Sequence, residues 1–79
     1  MKAKIRITLK KGVLDPQGKA IEGALGSLGF IGVENVRQGK YIELEMAETD
    51  AEKARVQIRS MCEKLLANTI IENYDIELA

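Results

Sequence analysis

Ala3, Ile5, Ile7 and Leu9 alternate with Lys4, Arg6, Thr8 and Lys10, the period of two that turns one set of side chains to a core and the other to water. This pattern predicts a first strand. Ile21, Ala24, Leu25 and Leu28 then recur at helical spacing, with Asp15 as N-cap, Pro16 at the first helical position and Gly29 at the stop. Residues 33–38 and 41–46 predict a hairpin that turns near Gly39-Lys40, with Ile42, Leu44 and Met46 inward and Tyr41, Glu43 and Glu45 outward. Alternation breaks down in Val33-Glu34-Asn35-Val36, which predicts an irregular or bulged edge strand. Thr49, with Glu52 three residues on, has the spacing of a capping box and opens a second helix. Its buried stripe is Ala51, Ala54, Ile58, Met61, Cys62 and Leu65. Asn68 stands where a left-handed C-terminal cap is expected, because asparagine tolerates positive φ better than most side chains. A final strand carries Tyr74, Ile76 and Leu78 on one face and Asp75 and Glu77 on the other.

The order strand, helix, strand, strand, helix, strand, joined by right-handed crossovers, predicts an α+β ferredoxin-like two-layer sandwich: a four-stranded antiparallel sheet with both helices on one face. The first strand would lie between the third and the last. Outward Lys4 and Arg6 would then be flanked by Glu43 and Glu45 on one side and by Asp75 and Glu77 on the other, making the open face self-neutralising.

With 79 residues, the chain reads as one domain, 1–79, whose thin core buries roughly 60% of the surface its unfolded form exposes. Domains this small commonly gain support from disulfides, a metal or a partner. One cysteine and no histidine rule out an internal disulfide and the common zinc sites, so association is the remaining support. Twelve basic residues balance 12 acidic ones, leaving no net field to draw nucleic acid or an anionic membrane. No apolar run has signal-peptide or membrane-spanning length. The expected location is the cytoplasm, in keeping with a lone reduced Cys62.

Candidate chemistry is sparse. Without histidine, neither a Ser-His-Asp nor a Cys-His arrangement can be assembled. Cys62 lies on an apolar stripe, where burial raises a thiol pKa and makes it inert. The carboxylate pairs Glu43/Glu45 and Asp75/Glu77 follow from outward alternation. A phosphate site at the first helix is opposed by Asp15, which occupies the free amides and repels anions. No Walker or GxGxxG pattern occurs, and the strands lack the stacking rings of an RNA-recognition motif. The expectation is no catalytic residue, cofactor site or metal site in this chain. Two surface features remain. Gly23 and Gly26 lie opposite the stripe of the first helix, where each is about 1 kcal/mol worse than alanine, and a bare helix face permits close approach of another chain. Val56 points away from the stripe of the second helix, and Arg37, Lys40 and Tyr41 surround the predicted hairpin turn. All six are candidate partner contacts; Asp15, Thr49 and Asn68 are candidate structural caps.

Leu14-Asp15-Pro16-Gln17-Gly18, Val36-Arg37 with Gly39-Lys40-Tyr41, and Cys62-Glu63-Lys64-Leu65-Leu66-Ala67-Asn68-Thr69-Ile70-Ile71-Glu72 together resemble the PurS family, the small subunits of phosphoribosylformylglycinamidine synthase. The resemblance covers nearly the whole chain in order. It implies a purine-biosynthesis complex in which a glutaminase subunit releases ammonia and an ATP-dependent synthetase subunit makes the amidine; ATP and glutamine are used by those partners. The small subunit would be non-catalytic, inactive in isolation, and a bridge that supports ammonia transfer; self-association, as a dimer or a higher oligomer, is expected instead from the thin core and the broken edge strand. Two other readings share the topology, a small-molecule-sensing regulatory domain and a small acyl-phosphate hydrolase. The latter lacks a glycine-rich loop around a phosphate-binding cation.

Overall fold

In the computed structural model, which describes residues 1–79, β1 (Lys2–Leu9), α1 (Pro16–Ser27), β2 (Gly39–Glu45), α2 (Ala51–Met61), a π-helical turn (Cys62–Leu66) and β3 (Glu72–Leu78) follow one another. The sheet is antiparallel, three-stranded and ordered β2-β1-β3. Register sets Ile5 opposite both Ile42 and Ile76, and Arg6 opposite Tyr41 and Asp75. Since successive residues alternate faces, Ala3, Ile5 and Ile7 turn to one layer and are fully buried. The opposite face carries Lys2–Glu43 at 3.3 Å, Lys4–Glu77 at 3.7 Å and Arg6–Glu77 at 3.9 Å.

The predicted fourth strand is absent. Residues 33–38 form no strand, because their backbone donors are taken by side chains rather than by a neighbouring strand. Val36 N donates to Glu22 Oε1 at 3.1 Å and Gln38 N to Asp15 Oδ2 at 2.7 Å. Asn35 adopts φ 57°, a left-handed conformation that interrupts extended backbone. Gly39 and Lys40, predicted at a turn, instead begin β2 opposite Thr8 and Ile7. A Cβ at Gly39 would lie 2.5 Å from the Ile7 carbonyl oxygen, so only glycine fits that strand end.

α2 closes the buried face. Its N-cap is Asp50, not Thr49: the Asp50 carboxylate accepts from Glu52 N at 2.9 Å and Lys53 N at 3.2 Å. Ala54, Ile58 and Cys62 are buried, Ile58 and Cys62 in one apolar cluster with Ala3, Ile5 and Ile7 of the sheet. The helix then widens, with Ala67 N donating five residues back to Cys62 O at 3.0 Å. That turn keeps Leu66 and Ala67 on the core and rotates Leu65 into solvent, 82% exposed, against the expectation that it was buried; Ala51 is likewise exposed. Asn68 is not the left-handed cap, since the only positive-φ non-glycine residue is Asn35. The chain leaves the helix through extended Ala67. Asn68 then makes a local turn, its Oδ1 accepting from Ile70 N at 3.2 Å while its own N–H donates to Glu72 Oε1 at 2.6 Å.

α1 behaves differently. Pro16 stands in its first turn, and its end closes on Gly29 at φ 94°, with Phe30 N bonded to Leu25 O and Gly29 N to Gly26 O, the paired bonds of a Schellman motif. Yet Gly18 is its only buried residue. The predicted stripe does not cover the sheet: Ile21 is 41% and Leu28 74% exposed. The Cα radius of gyration is 15.9 Å, against about 12 Å for a compact chain of this length. Only nine of 79 residues are buried. The core is that of α2 on the sheet, with α1 held out beside it.

Candidate interaction site

What fixes α1 is polar. Asp15, the only buried charged residue, accepts from Gly18 N at 2.8 Å within the helix and from Gln38 N at 2.7 Å in the segment leading to β2. These two amides, the Gln38 one first, hold its carboxyl below the usual carboxylate range, assisted by the Arg37 charge and opposed by burial. Gly18 lies so close to this segment that a Cβ there would collide with Val36 O and stand 2.8 Å from Asp15 Oδ2. Arg37 reaches across to the other loop, its guanidinium donating to Val13 O at 3.1 Å, Lys10 O at 3.1 Å and Leu9 O at 3.5 Å. Three segments of backbone are thus pinned at the root of α1.

Beyond that root the helix carries no covering layer. Leu28, Phe30 and Ile31 are 74%, 58% and 97% exposed, an apolar run projecting beside the sheet. The half-buried Ile42, Leu44 and Met46 lie at the margin of the core that α1 leaves open. Singly scattered exposed apolar residues are ordinary, whereas these three fall within four positions at the end of α1.

The residues singled out from sequence fall on separate surfaces. Gly23 and Gly26 lie on the exposed part of α1, where an added methyl group would meet nothing within 4 Å. Lys40 sits opposite Ile7, so its side chain lies on the α2 side, where Nζ reaches Leu66 O at 3.3 Å and Glu72 at 3.5 Å. Tyr41 lies on the open face, its hydroxyl donating to Glu43 Oε1 at 2.8 Å and its ring 5.6 Å from the Arg6 guanidinium carbon. The hydrogen bond to Glu43 raises the Tyr41 pKa. Arg37 faces the loop before α1, and Val56 is exposed on α2. A common patch of Arg37, Lys40 and Tyr41 does not form. Sequence reasoning missed Gly18, Gln38 and Glu22 as members of the α1 root; the run Asp15-Pro16-Gln17-Gly18 held the signal, a buried glycine three residues after an acidic cap.

Cys62 is fully buried, and loss of hydration pushes its thiol pKa up, with Glu63 adding to the shift. No buried side-chain nitrogen or oxygen lacks a hydrogen-bond partner. No helix is long and apolar enough to cross a membrane.

The family described as PurS, phosphoribosylformylglycinamidine (FGAM) synthase, matches residues 2–79. The chain belongs to the PurS family. It is 48% identical to phosphoribosylformylglycinamidine synthase subunit PurS of Bacillus subtilis, over 98% of this chain and 90% of that one. With the same subunit of a Synechocystis strain the identity is 49%, over 95% and 75% of the two chains. The crystal structure of Methanocaldococcus jannaschii PurS, one of the subunits of formylglycinamide ribonucleotide amidotransferase in the purine biosynthetic pathway, superposes with TM-score 0.86 at 46% identity, covering 96% of this chain and 92% of that chain. A chain of the PurLQS structure from Thermotoga maritima gives TM-score 0.87 at 34% identity, covering 96% and 93%. The three-stranded sheet and two helices are therefore the PurS arrangement, and PurS proteins are subunits of FGAM synthase.

Proposed function

We propose that this chain is the non-catalytic small subunit of FGAM synthase, a bridge between a glutaminase subunit and an ATP-dependent synthetase subunit that supports ammonia transfer between them. The observation that carries the reading is the uncovered α1 and its exit loop: a chain that exposes Leu28, Phe30 and Ile31 while burying only nine residues gains most by being completed from outside. A relative in T. maritima occurs in a PurLQS structure, which supports partners of that kind. In this reading all of residues 1–79 act as one unit in the cytoplasm. ATP and glutamine are handled by the partners, and the isolated chain has no glutaminase, ATPase or amidine-forming activity.

A separate surface supports self-association: β2 is an edge strand in the order β2-β1-β3 and residues 33–38 form no strand beside it, which leaves its outer edge to a second copy. Gly23 and Gly26 would allow close approach along α1, while Tyr41 and Val56 would mark the two outer layers. Arg37 and Lys40 would contribute chiefly through the loops they fasten. The test is reconstitution: adding the chain to purified glutaminase and synthetase subunits restores glutamine-dependent amidine formation, while the chain alone shows no ATP hydrolysis. Full glutamine-dependent turnover by the two large subunits without it would overturn the bridge.

A further inference from the structure

A cavity of about 620 Å³ opens between the end of β1 and the segment leading to β2, lined by Thr8, Leu9, Lys11, Gly12, Asn35 and Arg37. That volume lies within the range of small-molecule sites, about 300–1,000 Å³. Gly12 at φ 85° and Asn35 at φ 57° turn the chain sharply on its two sides. No carboxylate lines it; Asp15 and Glu34, the acidic residues nearest in sequence, lie outside its walls. Lys2, Lys4, Arg6, Lys19 and Lys40 are each paired with a glutamate, whereas Lys11 and Arg37 are paired with none. The carbonyls of Leu9, Lys10 and Val13 take up to three of the five guanidinium donors, which fixes Arg37 in place without supplying a counter-ion. The side chains of Thr8, Lys11 and Asn35 and the backbone N–H groups of Gly12 and Asn35 make no hydrogen bond within the chain.

The walls therefore offer two unpaired cations and an excess of donors. A carboxylate would balance one of those charges and brings two oxygens. A phosphate monoester carries about −1.5 to −2 at pH 7 and presents three strong acceptor oxygens, which matches both the charge and the donors. We propose that this cavity binds the phosphate group of a small phosphate monoester, with Arg37 and Lys11 as its counter-charges and Thr8 and Asn35 as further donors. Arg37, held by three carbonyls, presents a fixed fork to the oxygens, and Lys11 closes over them as a mobile point charge. The volume beyond the phosphate takes the organic part of the ligand. The site belongs to this chain alone and stands apart from the subunit reading.

The experiment titrates the full chain, labelled with nitrogen-15, with ribose 5-phosphate, inorganic phosphate and succinate at constant ionic strength and pH 7.5, following backbone amide shifts. Ribose 5-phosphate is expected to bind saturably with one site, at a Kd no weaker than about 1 mM, with the largest shifts at Lys11, Gly12, Asn35 and Arg37. Inorganic phosphate should bind more weakly at the same amides, and succinate should not saturate. Lys11 is exposed and makes no contact the fold needs, so Lys11→Ala should keep the native melting curve and raise Kd about tenfold, the loss of one charge-assisted hydrogen bond. Lys53→Ala, an unpaired lysine on α2 away from the cavity, should leave Kd unchanged. Equal loss in the Lys53 and Lys11 variants, or native affinity in Lys11→Ala, would overturn the site. So would shifts spread over the basic residues at large, the absence of saturation, or equal binding of succinate or inorganic phosphate.

Discussion

α1 and α2 carry apolar residues at the same helical spacing, but only α2 is seated on the sheet. Ala54, Ile58 and Cys62 follow one another at intervals of four and are all fully buried, whereas Ile21, Leu25 and Leu28 remain exposed or half-buried. Glycine content separates the two helices further. α1 contains Gly18, Gly23 and Gly26, each unfavourable in a helix interior, and α2 contains none. α2 is thus a helix that its own chain completes. α1 is a helix held in place at one end by polar bonds, with its apolar residues left exposed or half-buried. Periodicity says that a face will be buried; it does not say which molecule buries it.

The largest effect should distinguish the two helices directly. Ile58→Ala removes a fully buried side chain beneath the sheet and should lower stability by about 2–5 kcal/mol in denaturant unfolding. Leu28→Ala, on a residue 74% exposed, should change the free chain by less than about 0.5 kcal/mol while weakening self-association in sedimentation experiments. Equal destabilisation by both would mean that α1 is part of the same core.

How much of this was legible follows from where each residue's constraints come from. β1 and β3 are plain in sequence because alternation and burial coincide, as in Ala3-Ile5-Ile7 and Tyr74-Ile76-Leu78. The Asp15 cap and Gly29 stop are local chemistry and could be read locally. The strand expected at 33–38 could not be rejected from the sequence, because the groups that consume its N–H donors, Glu22 and Asp15, lie 14 and 23 positions away. Thr49 and Asp50 are both good cap residues, and only the structure shows Asp50 receiving the two amides. The exposure of Leu65 required knowing that the helix widens after Met61. The apolar spacing itself does not separate a stripe that meets its own sheet from one that does not; only the glycines of α1 set the two helices apart in sequence.

A smaller effect follows from the charge at the α1 root. Asp15 has a folded-state pKa below its unfolded value of about 3.9, so its contribution to stability is present in full above that value and is lost as pH falls through the folded pKa. Acidification should therefore release α1 first. Protection at Gln38 and in the first turn of α1, taken relative to unstructured-peptide exchange at each pH, should fall below about pH 4 before that of α2 amides, and the difference should vanish in Asp15→Asn. Loss of α1 and α2 protection at the same pH would break the distinction.

The smallest effect tests the bare part of α1. Gly23→Ala and Gly26→Ala meet no atom within 4 Å in the free chain, so each should stabilise it by roughly 0.5–1 kcal/mol in thermal melts. Gly26→Leu should leave the circular dichroism spectrum native and weaken self-association or binding to the larger subunits if that face is in contact. Native assembly in Gly23→Leu and Gly26→Leu would remove it from the interface.

The most direct test of the central claim is hydrogen exchange followed by mass spectrometry on the chain alone at high dilution and again in the reconstituted synthase. The account predicts α2 amides slow in both states, and amides of α1 and residues 28–33 fast in the free chain but slow in the complex. Equal protection of α1 in both states, or an exit loop that stays fast in the assembled enzyme, would contradict it.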